Sequence, residues 1–216
     1  MSFAKSERAA LCDLLDEVGP QAPTLCAGWT AHDMAAHLWT RETDPLAAPG
    51  IVVKPLAGLT ERRLAEAKAR WPYAELVDKV RHGPAPASVF SFPGVDLEAN
   101  TVEYFVHHED VRRAQPDWGV RQLPDSVEDW LWRRLKLMAR VMFRGVGTGL
   151  VLERAVQVPG DTPETIRALP GNEIVTLIGT PSELLLFAYG RGTHAVVEMV
   201  GPDDAVAKVR AARLAV

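Results

Sequence analysis

The sequence has few of the features that mark secreted, membrane-spanning or nucleic-acid-binding proteins. Only two of its 216 residues are cysteines, Cys12 and Cys26, which is too few for a disulfide framework and favours a reducing compartment. The N-terminus has no apolar signal core, and no uninterrupted apolar run approaches the roughly 20 residues that span a bilayer. A net charge of −4 gives no electrostatic reason to expect nucleic acid or a membrane surface as a partner. We therefore expect a cytoplasmic protein, with monomer and homodimer equally compatible.

Two common catalytic motifs are also missing from the sequence. The segment "HEDVR" (108–112) lacks the second histidine of the HExxH zinc-protease motif. The glycines of "GVGTG" (145–149) fit neither the dinucleotide-binding spacing nor a P-loop, because no Lys-Ser/Thr pair follows them. We interpret this segment as a linker.

The first two thirds of the chain have helical periodicity, and the last third alternates strands with helices. "TAHD" (30–33) has the form of a capping box at the start of a helix, and long helices are predicted over 96–115 and 125–143. Strands are predicted at "LVLERAV", "EIVTLIG" and "THAVVEMVG", and helices at "TPSELLLFAYG" and "PDDAVAKVRAARL". The pattern predicts a mainly α protein, with a helical bundle over 1–145 and a small α+β domain over 146–216.

A polar stripe runs along the predicted helix 96–115. Asn100, Glu103, His107, Asp110 and Ala114 recur at spacings of three and four residues and therefore share one face. Apolar residues flank this stripe on both sides, so it either faces solvent along a narrow strip or points into the bundle. Burying a carboxylate and an imidazole without partners is costly, and a metal ion would supply the partner.

Glu103 and His107 can reach one cation from successive helical turns, with an oxygen and a nitrogen ligand that suit Zn²⁺ or a similar divalent ion. The best candidate for a third ligand is His37, which lies among apolar residues of the helix after "TAHD". Asp110, one turn further, would orient a ligand or a water. The competing interpretations are a surface ion pair at Glu103 and His107 and a hydrogen-bonded core histidine at His37.

Three segments carry a family resemblance: "APTLCAGWTAHDMAAHL", "ANTVEYFVHHEDVRRA" and "GTPSELLLFAYGR". Together they resemble the DinB-like bundle proteins related to mycothiol-dependent maleylpyruvate isomerase, and an actinobacterial subfamily of metal-binding proteins in particular. The first is similar to the family signature that presents a metal-binding histidine. The second is similar to another signature, a Glu-x-x-x-His followed three residues later by Asp, and the third resembles a helix of the C-terminal domain.

The resemblance implies a four-helix bundle with a divalent metal, often zinc, held by His37, Glu103 and His107. It also implies mycothiol as a thiol cofactor and a C-terminal arginine at the site, for which Arg191 is the candidate. The segment 45–70 looks specific to the subfamily, so we do not carry over maleylpyruvate as the substrate.

Our leading functional hypothesis is an enzyme in which the metal converts a small-molecule thiol to a thiolate that attacks an electrophilic substrate, giving isomerisation or S-transfer. Arg191 would hold a substrate carboxylate or an enolate, and Asp110 would orient His107. One alternative is a non-catalytic metal-binding protein whose fourth ligand is Asp110 or Cys26. Another is a hydrolase with a metal-activated water.

Overall fold

The computed structural model describes residues 2–44, 57–83, 95–156, 160 and 162–214. The chain forms two compact units, Met1–Gly119 and Val120–Val216. No helix among the described residues combines the length and the apolar character needed to cross a membrane. Part of the subfamily-specific segment (45–56) and most of the predicted loop before residue 95 (84–94) lie outside the described residues.

The described part of the first unit is helical. Its helices are α1 (Phe3–Val18), α2 (Ala31–Thr43), α3 (Ala57–Arg70), α4 (Tyr73–His82) and α5 (Val95–Arg112). Helix α1 packs against α4 and α5, and α2 packs against α3 and α4. Their apolar faces meet in one core, which includes Leu11, Leu15, Met34, Leu76 and Tyr104.

Helix α2 begins at the predicted capping box. The backbone N–H of Thr30 donates to the Asp33 carboxylate at 2.9 Å, and the Thr30 hydroxyl accepts from the Asp33 backbone N–H at 3.5 Å. Lys68 of α3 also donates to Asp33, at 2.6 Å. Because these contacts fix the first turn of α2, they also fix the position of His37, which lies in the following turn.

The second unit combines helices with a small mixed sheet. Its elements are α6 (Asp125–Met142), β1 (Gly149–Arg154), β2 (Thr165–Leu169), β3 (Ile174–Gly179), α7 (Pro181–Leu186), β4 (Glu198–Val200) and α8 (Asp203–Ala211). The strand order is β2-β1-β3-β4; β1 and β3 are parallel, and the other pairs are antiparallel. Helix α7 continues through Phe187 and Ala188 and is then broken by a kink at Tyr189 and Gly190, whose backbone dihedrals are not helical.

The division between the units differs from the predicted boundary after residue 145. Helix α6 belongs to the second unit because it packs against β2 and α7, and its buried residues include Leu131 and Leu135. An amphipathic stripe shows that one face of a helix packs against an apolar surface. It does not show whether that surface belongs to other helices or to a sheet.

Strand β2 was not predicted, and β4 is shorter than the predicted strand over 193–201. Strand β2 is only five residues long, and Ala168 is its only buried residue, so its sequence gives a weak strand signal. It forms by pairing with β1, which is a tertiary effect that local periodicity does not record.

Candidate metal centre

Three side chains of the first unit converge between α2 and α5. His37 Nε2 lies 3.0 Å from Glu103 Oε1, and His107 Nε2 lies 3.3 Å from the same oxygen. One ligand atom from each of the three residues lies within 4.8 Å of the other two. The structure thus brings together the three residues that the sequence predicted as metal ligands.

The polar stripe of α5 points into the interior of the unit. Asn100 and Asp110 are completely buried, and the side chains of Glu103 and His107 retain only 22% and 13% exposure. This excludes the interpretation of Glu103 and His107 as an ordinary surface ion pair. Two imidazoles and a carboxylate are therefore buried together, which is stable only if each has a partner.

The three ligand atoms suit a small divalent ion. Zinc binds imidazole nitrogen and carboxylate oxygen at about 2.0–2.1 Å, so neighbouring ligands of a tetrahedral site lie roughly 3.3 Å apart. The two separations at Glu103 Oε1 are close to that value. Three protein ligands leave a fourth position open, as is usual for catalytic zinc.

Asp110 fixes the ring orientation of one of the candidate ligands, His107. Its Oδ2 lies 2.9 Å from His107 Nδ1, so Nδ1 carries the proton and Nε2 faces His37 and Glu103. A carboxylate on the far nitrogen is the usual support of a metal-binding histidine. Cys26 lies next to this pair, because its thiol donates to the same Oδ2 at 3.3 Å.

Arg41 also contributes to the centre, although it is not among the site residues predicted from the sequence. Its Nε lies 3.2 Å from Glu103 Oε1, and its Nη1 donates to Asn100 Oδ1 at 2.6 Å. Its position in the sequence could have indicated this role, because Arg41 lies one helical turn after His37 and therefore on the same face of α2.

Two aromatic contacts further define the surroundings of His37. Its ring lies 5.0 Å from that of Trp29, and it meets His107 edge-on at 5.0 Å between centroids. These ring contacts restrict the rotation of the His37 side chain.

The pKa shifts reflect this convergence. Burial lowers the pKa of His37. Burial alone would raise the pKa of Glu103, but hydrogen bonds from His107 and His37 and the charge of Arg41 outweigh it and hold that pKa well below its usual range. Burial would likewise lower the pKa of His107, but hydrogen bonds with Asp110, Cys26 and Glu103 hold it well above the usual value.

These shifts describe how the cluster is balanced without a metal ion. A proton on His107 and the Arg41 guanidinium compensate the Glu103 and Asp110 carboxylates. A dication at Nε2 would displace the ring proton from His107, because a metal-binding imidazole must be neutral on the binding nitrogen. Replacing this proton by a dication adds one net positive charge to the site, which an anionic ligand at the open position would compensate.

The other residues that the sequence singled out lie elsewhere. His108 points away from the cluster and pairs with the buried Glu7 of α1 at 2.9 Å, in agreement with its rotation from His107. Arg191 belongs to the second unit, where its Nη1 donates to the carbonyl of Tyr189 at 2.5 Å. Its catalytic role remains a prediction.

No protein-family model and no curated protein matches the chain. Among solved structures, the chain is similar to the mycothiol-dependent maleylpyruvate isomerase, with 18% identity, a TM-score of 0.57 and coverage of 91% of this chain and 90% of that one. A histidine-to-alanine mutant of the same enzyme matches with 19% identity, the same TM-score and the same coverage. The likeness confirms the predicted fold class, a mainly α protein with a DinB-like bundle and a small α+β unit.

Proposed function

We propose that the chain binds a divalent ion, zinc by preference, through His37, Glu103 and His107. We further propose that it is a mycothiol-dependent enzyme acting on an electrophilic small molecule, by isomerisation or S-transfer. The convergence of the three ligand atoms carries the proposal. The shared fold adds support, because the solved relatives are described as mycothiol-dependent.

Each residue of the centre has a role in this scheme. His37, Glu103 and His107 hold the ion, which would lower the pKa of a bound thiol so that it reacts as a thiolate at neutral pH. Asp110 keeps the proton of His107 on Nδ1, so that Nε2 remains available as a ligand.

Arg41 makes the open position favourable for an anion. The ion carries two positive charges and Arg41 one, against the negative charges of Glu103 and Asp110, while neutral histidines add none. The resulting net positive charge favours a thiolate over a neutral ligand. Arg191 is proposed to bind a carboxylate of the substrate.

The positions of Asp110 and Cys26 favour an open shell over a closed, non-catalytic one. Both lie at the Nδ1 side of His107, whereas His37 and Glu103 lie at its Nε2 side. The two nitrogens of an imidazole point in different directions, so an ion bound at Nε2 lies away from both Asp110 and Cys26, and neither is placed to be its fourth ligand. The fourth position therefore stays available to a small molecule.

Hydrolysis is less well supported because the nearby carboxylates are engaged. A metal-bound water requires a free general base, and Glu103 is proposed as a ligand. Asp110 is completely buried and accepts from His107 and Cys26. Glu109 is paired with Arg112 and Arg113.

The proposal can be tested by adding mycothiol to cobalt-substituted protein carrying Cys26→Ser. This variant keeps the three ligands and lacks the neighbouring thiol, so any thiolate-to-cobalt absorption must come from mycothiol. We expect that absorption to appear on adding mycothiol and to be absent when His37→Ala is added to the variant. Cobalt binding without a mycothiol-dependent change would overturn the thiol chemistry while leaving the metal site intact.

A further inference from the structure

A second group of ligand-type atoms adjoins the proposed centre. Cys26, His107 and Asp110 also place one potential ligand atom each within 4.8 Å of the other two. We propose that this group is a second metal position for a soft divalent ion such as Zn²⁺ or Cd²⁺, with His107 bridging the two ions. The proposal builds on the first metal position but does not depend on mycothiol chemistry.

In the metal-free protein, two protons lie where the second ion would bind. The Cys26 thiol and the Nδ1–H of His107 both donate to one oxygen, Asp110 Oδ2, at 3.3 and 2.9 Å. A dication that binds thiolate, imidazolate and carboxylate would release those two protons to the solvent. The net charge of the site would not change, so the exchange avoids the cost of burying uncompensated charge.

The donor set selects a soft or borderline ion. A thiolate favours zinc, cadmium or cuprous ion over magnesium or calcium, and a coordinated thiol loses its proton outright. His107 can serve both positions because Nε2 faces His37 and Glu103 while Nδ1 faces Asp110. The two ions would therefore lie on opposite sides of one imidazole ring.

The segment that carries Cys26 is held in place against α5. The Leu25 N–H donates to the Asp110 carbonyl at 3.0 Å, and the Cys26 N–H donates to the Thr24 hydroxyl oxygen at 3.2 Å. Cys26 is partly exposed, so an ion from solvent can reach it. Cys12 differs because it is buried in the core, and burial raises the pKa of its thiol to about 12.

Titration of metal-free protein with Cd²⁺ tests the second position directly. The thiolate-to-cadmium absorption, the stoichiometry and the protons released into a weak buffer can be followed together. We expect the wild type to bind two equivalents, one of which develops the thiolate band. Cys26→Ser should bind one equivalent without the band, and Cys12→Ala, the matched control, should behave like the wild type. His37→Ala should lose the other equivalent and keep the band.

The remaining outcomes separate this inference from the proposed function. One equivalent without a thiolate band in the wild type would overturn the second position and leave the first. If the wild type bound one equivalent of Cd²⁺ and showed the thiolate band, the second position would also be overturned. Cys26 would then be a ligand of a single ion whose coordination shell is closed. No binding at all would remove the metal from the proposed function as well.

Discussion

A half-buried glutamate of the first unit and a buried glutamate of the second have opposite electrostatic environments. Glu103 in the first unit contacts two imidazoles and the guanidinium of Arg41. Glu128 in the second unit accepts hydrogen bonds from the backbone N–H and the hydroxyl of Ser182, at 2.9 and 2.7 Å. The pKa of Glu103 is held well below its usual range, whereas burial raises the pKa of Glu128 because these neutral donors only partly offset it.

The comparison shows that burial of a carboxylate does not by itself indicate a functional site. Glu128 stabilises the first turn of α7, where it satisfies the N–H and hydroxyl of Ser182, and this is a structural role. Glu103 is surrounded by groups that are themselves candidate metal ligands or permanent cations. Convergence of ligand-type side chains, rather than burial, distinguishes the candidate centre.

The largest expected effect is the loss of metal binding in Glu103→Gln. The amide preserves the size of the side chain but removes the anionic ligand, so zinc affinity should fall by more than about 100-fold, beyond the range typical of outer-shell partners. Glu128→Gln is the matched control and should bind zinc like the wild type. Competition with a chromophoric chelator measures both, and equal affinities in the two variants would contradict the distinction between the glutamates.

Asp110→Asn should produce a smaller loss. The amide cannot act as the anionic acceptor for the Nδ1–H of His107, so the ring loses its orientation and part of its basicity. We expect zinc affinity to fall by about 10- to 100-fold while stoichiometry at the first position is retained. An unchanged affinity would show that Asp110 does not support His107.

Zinc affinity should also rise with pH. The pKa of His107 is held above its usual value, so in the metal-free protein a proton competes with the ion at this ligand. Raising the pH toward that pKa removes the competitor, and the affinity should increase about tenfold per pH unit for each proton displaced. Calorimetry in buffers of different ionisation enthalpy measures this release, and an affinity that falls with rising pH would contradict the assignment.

Arg41→Gln should weaken anionic ligands selectively. Removing this cation from beside Glu103 reduces the positive charge at the open position, so thiocyanate binding to the cobalt-substituted protein should weaken by about tenfold. Binding of a neutral ligand such as imidazole should change much less, and Arg41→Lys should retain part of the effect. Equal weakening of both ligands would indicate that Arg41 is only structural.

The smallest expected effect is the change in the free energy of unfolding caused by Glu128→Gln. Glu128→Gln should lower the free energy of unfolding at neutral pH by about 1 kcal/mol, the usual contribution of one hydrogen bond. Because the pKa of Glu128 is raised in the folded protein, the folded state binds a proton at this carboxyl more tightly than the unfolded state does. The contribution of Glu128 to the free energy of unfolding is therefore largest at low pH and declines as pH rises. The difference between wild type and Glu128→Gln should therefore grow as pH falls from neutral, which denaturation at several pH values would show.

The residues of the centre that the sequence predicted are those fixed by local helical geometry. Glu103, His107 and Asp110 follow from spacing on α5, and the capping box at Thr30 places His37 in α2. Arg41 was missed because its direction depends on how α2 meets α5. The association of α6 with the sheet and the formation of β2 likewise depend on tertiary contacts.

The most direct test of the central claim is the metal content of untagged protein from metal-replete medium, measured by elemental analysis beside His37→Ala and Glu103→Ala. We predict at least about one divalent ion per chain in the wild type and loss of the ion at the three-ligand position in both variants. A wild-type protein that is folded, metal-free and unable to take up zinc would contradict the account. The cluster would then be a hydrogen-bonded network of buried polar groups.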